Sequence, residues 1–293
     1  MDIVRCSESD SIEEGMRSRS ELKIVLGTVL YPGAEQFIPD FAESVNLQTD
    51  KKFDVLVIND GMGNSGTELL RKLLKHKVNI INTFPNAKIH ENRIFLLEKA
   101  KKNKYDLLVM LDIDDKMSDS RIWEYRYQYD SFYAFYFNEL YTFEGRKIFV
   151  KLPDEADIKD IMECNYLGLS NTGINLKLLD SEFLKSLYHG DTNVFDWYLF
   201  TRILLEKFRG KKIEQAITKY RIYNNNIAGI NQNVQHEIKV KRKHYELLSN
   251  YDIRYRELFK IYQKSESEIK ANMINEDIKG YWWENIAMLA DKK

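Results

Sequence analysis

Short apolar runs alternate with longer amphipathic stretches along the first part of the chain. The runs are nearly continuous in Val, Ile and Leu, which is typical of strands buried on both faces of a parallel sheet. They cover residues 23–29 (KIVLGTV), 53–59 (FDVLVIN), 78–82 (VNIIN) and 105–111 (YDLLVML). The sequence therefore predicts four parallel strands in this region.

The stretches between the runs carry apolar residues three and four positions apart, as amphipathic helices do. Each would cross over from one strand to the next in a β-α-β unit, and Pro39 is expected to bend the first helix. The crossover segments are AEQFIPDFAESVNLQ, SGTELLRKLLKH and HENRIFLLEKAKKN.

After Asp115 the pattern becomes aromatic, and SFYAFYFNELYTFEGRKIFV predicts an antiparallel hairpin that makes the sheet mixed. Beyond it we predict a strand around LGLSNTGINL, a helix over 194–207, a strand over KIEQAITKYRIY, and helix from Val234 to the chain end. The predicted domains are a flexible segment (1–22), an α/β domain (23–230, with halves 23–115 and 116–230) and a helical appendage (231–293).

Composition narrows the possible partners. Lys and Arg number 44 against 45 Asp and Glu, a net charge of -1, so nothing global indicates nucleic acid. Cys6 and Cys164 form no C-x-x-C, which disfavours a thiolate zinc site and fits a reducing cytoplasm. The polar, acidic start differs from a secretory signal, and no window reaches the roughly 18 apolar residues of a membrane helix. We expect a soluble, cytoplasmic protein.

A G-x-G-x-x-G pattern occurs at Gly61, Gly63 and Gly66. A dinucleotide fingerprint follows the first strand of its unit and needs an acidic residue about 20 positions later. Here the glycines follow the second strand, behind Asn59 and Asp60, and no carboxylate stands near the end of the next strand. A dinucleotide site is therefore disfavoured, which leaves a plain turn or a turn that presents Asp60 to a ligand.

Ligands of parallel sheets bind beyond the carboxyl ends of the strands. The polar residues at these ends are Thr28, Asp60, Asn82, Asp112, Asp114 and Asp115. Because side chains alternate along an extended segment, Asp112 and Asp114 are expected on one side, where their charges repel unless a cation lies between them. A divalent ion is commonly held by one or two carboxylates together with diphosphate oxygens. The segment LDIDD predicts such a metal site at Asp112 and Asp114; a solvated acidic turn is the alternative.

These motifs, in this order, resemble the GT-A-fold glycosyltransferases of family 2. Members have a TYN-like segment after the first strand, a helix ending in S-x-x-x-Q-T, a strand ending in DDGS and a later strand ending in LDADD. This chain has TVLYPGAEQFIPDFAESVNLQTDKKFDVLVINDGM and YDLLVMLDIDDKMSDSRI. The resemblance covers residues 23–229 and implies a nucleotide-binding half (23–115) and an acceptor-side half (116–230).

The resemblance implies donor-binding roles at the strand ends. Asp60 falls where the family contacts the nucleotide base, with Asn59 in place of a commoner aspartate. Thr28 begins the loop that borders the nucleoside. Asp112 is placed at the ribose or the metal, and Asp114 is the expected metal ligand.

Two further segments match the donor side of the family. Asn92 and Arg93, in HENRIF, fall near the RN segment that faces the donor, in reversed order. Arg221, in TKYRIYNNNIAG, matches the closing YR-x-H element over the donor diphosphate, and Tyr223 stands where many relatives have His. Arg221 is expected at phosphate or, alternatively, in a structural ion pair.

The acceptor side is marked by DTNVFDWYLFTRILLEK, which resembles the family's ED-D-L-x-x-R helix start and puts Asp196 at the catalytic-base position. A helix N-terminus favours the charged carboxylate. The alternative is that Asp191 or Asp196 caps the helix. Asn171 and Thr172, in SNTGINL, are further candidates beside the acceptor.

The function implied is transfer of one sugar, with inversion, from a nucleotide-diphosphate donor such as a UDP-sugar to a hydroxyl, using Mn²⁺ or Mg²⁺. The acceptor would be a glycan, a lipid-linked molecule or a protein, in glycan or surface polysaccharide synthesis. The Q-x-x-R-W element of processive synthases is absent, so single additions are expected. Two alternatives remain: a sugar-1-phosphate nucleotidyltransferase, although GTVLYPGAEQ lacks the Arg and Lys of a triphosphate loop, and a nucleotide-sugar-binding pseudoenzyme.

The predicted helical tail contains a basic segment, KVKRKH, at residues 239–244. The tail is expected to be a lid or a membrane-surface contact. The basic cluster could hold the protein at the inner face of a membrane with anionic lipids, with Tyr281, Trp282 and Trp283 at the headgroups. A solvated helix face, or packing of the aromatic residues on the core, is the alternative. In either case the tail is expected to contribute little to the chemistry.

Overall fold

The computed structural model describes residues 21–192, 194–222, 234–264, 268–269 and 279–287. The predicted flexible segment lies outside these ranges except at its last two residues. The strands are β1 (Ile24–Leu30), β2 (Phe53–Asn59), β3 (Val78–Asn82), β4 (Leu107–Met110), β5 (Lys116–Met117), β6 (Phe135–Thr142), β7 (Glu155–Ala156), β8 (Thr172–Asn175) and β9 (Gly210–Tyr220). The helices are α1 (Ile38–Asn46), α2 (Asn64–Leu73), α3 (Ile89–Lys102), α4 (Arg121–Tyr127), α5 (Ser181–Ser186), α6 (Phe195–Leu205), α7 (Val234–Leu248) and α8 (Ile253–Tyr262).

One mixed sheet runs through the protein in the order β3-β2-β1-β4-β8-β6-β9-β5, with β7 paired to β9. The first four strands are parallel, as predicted, so their carboxyl ends lie along one edge of the sheet. The second half adds antiparallel pairs of β8 with β4 and β6, while β9 runs parallel to β6.

Alternate residues of the central strands face two separate cores. Val25 of β1 belongs to the core that includes α3 and α6, and Leu26, the next residue, belongs to the core that includes α1 and α2. This alternation is why the strands are apolar throughout: both faces of the sheet are covered by helices.

Two local predictions are wrong. Pro39 is the second residue of α1 and therefore begins the helix rather than bending it, since the first turn needs no N–H from that residue. The predicted hairpin shrinks to a single bridge between Tyr141 and Lys147. β9 pairs along β6 on one side and β8 pairs with Phe135–Phe137 on the other, so only the end of β6 near Tyr141 is left for a hairpin partner.

The tail also differs from the prediction. Helices α7 and α8 are present, but residues 279–287 are not helical, and Trp282 forms an antiparallel bridge with Asn165. Aromatic packing explains the difference, because Tyr281 lies 5.0 Å from the ring of Tyr166 and Trp282 lies 5.1 Å from that of Phe149.

The basic segment of the tail is not an exposed patch. Lys241 is wholly buried in an ion pair with Glu237 (3.0 Å), and His244 is wholly buried as well. Side chains of α7, α8 and Trp283 belong to the same core as β6 and α6. Two of the basic residues of KVKRKH are therefore not available to contact lipid, which weakens the membrane interpretation. The domain boundaries stay predictions. No helix within the described ranges has both the length and the apolarity needed to cross a membrane.

Candidate active site

The acidic segment after β4 forms a tight turn. The backbone N–H of Asp115 donates to the carbonyl of Asp112 at 3.1 Å, and the N–H of Asp112 donates to Ser170 Oγ at 3.0 Å. The expectation of an extended segment at this point is therefore wrong. The half-buried side chains of Asp112 and Asp114 nevertheless alternate with the buried Ile113 and Asp115.

Asp115 is a candidate that the sequence interpretation left out of the metal site. Its Oδ1 accepts the backbone N–H of Arg221 at 2.9 Å, and its Oδ2 is buried without a hydrogen-bond partner in the described part of the chain. Burial, together with the carboxylates of Asp114 and Asp112, raises the pKa of Asp115 well above its ordinary value. The turn thus concentrates negative charge that a cation would stabilise. The only signal in the sequence was the third carboxylate of LDIDD.

Arg221, the residue that follows β9, contacts the acidic turn. Its Nε donates to the carbonyl of Asp114 at 2.8 Å, its Nη2 pairs with Asp40 Oδ2 at 2.6 Å, and its guanidinium lies 4.0 Å from the ring centroid of Phe143. Partial burial acts to raise the pKa of Asp40, but Arg221 and Lys116 hold it below its usual value. The ion pair expected as an alternative for Arg221 is thus present, beside the acidic turn. Tyr223 lies outside the described residues.

Asp196 lies near the acidic turn although it is far away in sequence. It is the second residue of α6, and it accepts the backbone N–H of Trp197 at 2.7 Å. Burial, with a contribution from Asp112, raises the pKa of Asp196 to about 7, while Arg93 acts to lower it. Arg93 Nη2 in turn pairs with Asp112 Oδ1 at 2.5 Å. Two carboxylates and one guanidinium therefore form a single electrostatic group, with Asp196 poised to exchange a proton near neutral pH.

The alternative that Asp191 or Asp196 is the N-cap of α6 is not found in the structure. The N-cap of α6 is Val194, with no side-chain cap. Asp191 is exposed and pairs with Lys88 Nζ at 2.5 Å.

The glycine pattern after β2 forms the turn that carries Asp60. Asn59 builds this turn: its Oδ1 accepts the N–H of Met62 at 2.9 Å, and its Nδ2 donates to Asn82 Oδ1 at 2.9 Å. Gly61 has φ of +83°, a left-handed conformation that glycine adopts without strain. The turn leaves the side chain of Asp60 half-exposed at the carboxyl edge of the sheet.

Two predicted donor-side residues lie deeper than expected. Thr28 does not begin a loop, because β1 continues to Leu30 and the Thr28 side chain is wholly buried within the sheet. Asn92 is buried in α3, where its Oδ1 accepts from Thr83 Oγ1 at 2.5 Å. Its position ties α3 to the end of β3.

The acceptor-side candidates Asn171 and Thr172 are also wholly buried, contrary to the prediction. Asn171 Nδ2 donates to the carbonyl of Asn138 at 3.0 Å, and Thr172 Oγ1 donates to that of Leu169 at 2.9 Å. Both side chains stabilise the junction of β6 and β8.

Comparison with known proteins finds solved structures of similar fold. The sequence matches no protein-family model and no curated protein. The chain is similar in structure to residues 1-349 of TarS from S. aureus in complex with UDP-GlcNAc, with a TM-score of 0.56, 14% identity, and coverage of 83% of this chain and 72% of that chain.

Two further structures are similar. Mannosyltransferase PcManGT from Pyrobaculum calidifontis, in complex with GDP-Man and Mn²⁺, has a TM-score of 0.50 and 12% identity over 82% of this chain and 70% of that chain. GalNAc-T7 with UDP, GalNAc and Mn²⁺ has a TM-score of 0.57 and 11% identity over 85% of this chain and 53% of that chain. At these identities the similarity establishes the fold, and the predicted GT-A-type mixed sheet flanked by helices is confirmed.

Proposed function

We propose that this protein is an inverting, metal-dependent glycosyltransferase of the family 2 type, which moves one sugar from a nucleotide-diphosphate donor to a hydroxyl acceptor. The observation that carries the proposal is the convergence of Asp112, Asp196 and Arg93, from the turn after β4, from α6 and from α3, into one electrostatic group. This group lies at the carboxyl edge of the parallel strands, where ligands of open α/β sheets bind.

The solved structures of similar fold support a nucleotide-sugar donor, since their names record UDP-GlcNAc, UDP and GDP-Man. A UDP-sugar is the donor that we propose. Asp60 is suited to hydrogen-bond the base, because the turn leaves its side chain at the sheet edge. The acceptor is a hydroxyl of a glycan, a lipid-linked molecule or a protein.

The acidic turn fits a divalent cation. Asp115 has a buried oxygen without a hydrogen-bond partner in the described chain, and burial together with the neighbouring carboxylates raises its pKa. In the described ranges, no group of three or more His, Cys, Asp or Glu side chains is placed to hold a metal alone. Asp114 and Asp112 would therefore hold Mn²⁺ or Mg²⁺ jointly with donor oxygens and water, as is usual for nucleotide substrates.

In this mechanism Asp196 accepts the proton of the acceptor hydroxyl as general base while the hydroxyl attacks the anomeric carbon. When bound, the cation supplies Lewis-acid stabilisation of the departing diphosphate. Arg93 holds Asp112 in place by their ion pair and favours the ionised form of Asp196. Arg221 fixes the acidic turn through the carbonyl of Asp114 and the carboxyl of Asp115.

The test is calorimetric titration of the full chain with UDP in the presence and absence of Mn²⁺, followed by assays of UDP release from several UDP-sugars. We expect Mn²⁺-dependent binding of UDP and slow release of UDP from at least one donor. Binding without release or transfer would instead support a pseudoenzyme. Failure to bind any nucleotide or nucleotide-sugar would overturn the proposal.

A further inference from the structure

A second candidate site lies at the opposite edge of the sheet. A cleft of about 870 Å³ opens at the amino ends of β1, β2 and β3. Four of its lining residues are lysines, namely Lys23, Lys51, Lys52 and Lys77, which together are called the lysine cleft below. Asp54 is the one carboxylate among the described lining residues.

The register of the strands sets like charges side by side. Ile24 pairs with Phe53, so Lys23 and Lys52, which precede them, stand next to each other at about the 4.8 Å strand spacing. Like charges opposite one another in a sheet are destabilising. Neither ammonium group has an ion pair or hydrogen bond with another described residue; the nearby carboxylates of Asp106 and Asp50 accept the backbone N–H groups of Lys23 and Lys52, at 2.8 Å and 2.7 Å, and leave the ammonium groups without a direct partner in that part of the protein.

The single carboxylate of the lysine cleft is already engaged. Asp54 Oδ2 accepts the hydroxyl of Tyr105 at 2.5 Å and lies 4.0 Å from Lys77 Nζ. Lys51 Nζ donates to the carbonyl of Asn46 at 2.6 Å, a neutral partner. Three of the four positive charges are thus not compensated by a carboxylate within the cleft.

A helix C-terminus accounts for Lys51, whose Nζ donates to the carbonyl of Asn46, the last residue of α1, but not for Lys23 and Lys52. Lys72 and Lys101 lie in the last turns of α2 and α3, where positive charge complements the carboxyl end of a helix. Lys23 and Lys52 instead precede strands, whose net dipoles are small. Their positions are better suited to an anion from outside the chain.

We propose that the lysine cleft binds a soluble anion that carries two or more phosphate groups. Lysine binds phosphate as a point charge, and several ammonium groups around one concavity favour several linked phosphates over a single one. The volume falls within the usual range of ligand pockets, and the concave shape fits a chain-like anion better than the flat surface of a membrane. The cleft is separate from the proposed donor site, because the seven residues of β1 put about 20 Å between the two edges.

Calorimetry of the full chain with tripolyphosphate in the presence of EDTA tests this proposal. The chelator removes divalent cations, so that the proposed metal-dependent donor site does not contribute. We expect the variant with Lys23→Gln, Lys52→Gln and Lys77→Gln to bind at least about tenfold more weakly than wild type. Asp54→Asn should bind more tightly, because it removes the only carboxylate among the described lining residues. This second variant keeps the proposal testable if the triple variant fails to fold.

A matched control removes the same charge elsewhere. It changes three exposed lysines of α7 and α8 to Gln: Lys239, Lys243 and Lys260. We expect this control to bind tripolyphosphate within about twofold of wild type. Equal weakening in both triple variants, or no weakening in the cleft variant, would overturn the proposal. Sedimentation with anionic phospholipid vesicles but no tripolyphosphate binding would overturn it too, and would identify the cleft as a lipid contact.

Discussion

The imidazole of His244 stacks on the indole of Trp197, with ring centroids 3.9 Å apart and ring planes 17° from parallel. The backbone N–H of Trp197 donates to the carboxylate of Asp196. A second contact joins α6 to the tail: the guanidinium of Arg202 in α6 lies 3.7 Å from the ring centroid of Tyr251, which lies between α7 and α8. The tail is thus packed directly on the helix that carries the proposed base, which argues against the expectation that it contributes little to the chemistry.

The stack predicts how His244 responds to substitution. Both ring nitrogens are buried without hydrogen-bond partners in the described chain, and burial, with Lys241 nearby, holds its pKa well below 6.5. His244→Phe keeps the stack and removes these unsatisfied polar atoms, so its free energy of unfolding at pH 8 should be within about 1 kcal/mol of wild type or higher. His244→Ala leaves a cavity and should cost about 2–4 kcal/mol. Urea unfolding measures both, and equal losses would show that the stack does not stabilise the tail.

The same histidine makes stability depend on pH. Its folded-state pKa is depressed below the ordinary 6.5, so the unfolded chain binds the proton more readily. The contribution of the neutral His244 to the free energy of unfolding is present above pH 6.5 and is lost as the pH falls below 6.5. We therefore expect the free energy of unfolding of His244→Phe, measured with urea, to rise relative to that of wild type as the pH falls from 7 to 5. A constant difference across this window would mean that His244 does not titrate on unfolding.

Much of this fold could be predicted from the sequence, because β1, β2 and β4 are buried on both faces and therefore almost purely apolar, while β3 is a partly buried edge strand. The second half was harder for a physical reason. Strand β6 has sequence neighbours that look like a hairpin, yet its edges are taken by β8 and β9 from much later in the chain. Local turn signals around Gly145 carry no information about such partners.

The candidate site likewise has features that the sequence predicts and features that it does not. Asp112 and Asp114 follow a strongly apolar strand, so their place at its carboxyl end could be predicted. The part played by Asp40 could not, because its partner Arg221 is 181 positions away and no local pattern links them. The role of Thr28 at the start of a loop was implied by the family resemblance, whereas β1 extends through Thr28 to Leu30. Strand ends are set by pairing with β2, which the apolar run alone does not determine.

Asp196→Asn should leave donor binding nearly unchanged and lower the rate of transfer by about 100-fold or more, the usual scale for loss of a general base. The substitution is nearly isosteric and keeps an acceptor for the N–H of Trp197. Asp191→Asn is the matched control, because Asp191 is exposed and paired with Lys88, and it should stay within about threefold. Measuring kcat and KM for both separates the roles. Equal loss in the two variants would remove Asp196 from the chemistry.

The pH dependence of transfer offers a further check. Only the ionised form of Asp196 can accept a proton, so kcat/KM should rise with pH through an apparent pKa of about 7. Arg93 acts to lower that pKa, so Arg93→Gln should move the rising limb to higher pH. A pH–rate profile of each enzyme measures the shift. A limb that moves to lower pH, or stays in place, would contradict the proposed electrostatic group.

Asp114→Ala should abolish the binding of UDP that depends on Mn²⁺, because one of the two proposed ligands is lost and Asp112 cannot hold the ion alone. Asp112 is paired with Arg93, and Asp115 Oδ1 holds the N–H of Arg221. Asp119→Ala is the matched control, since this carboxylate is exposed and lies five positions further along the chain. Calorimetry with UDP and Mn²⁺ should give wild-type affinity for the control and none for Asp114→Ala, with both proteins melting normally. If Asp114→Ala bound UDP and Mn²⁺ as tightly as the control does, LDIDD would have to be removed from the proposed metal site, and its carboxylates would then be explained by their contacts with Arg93 and Arg221.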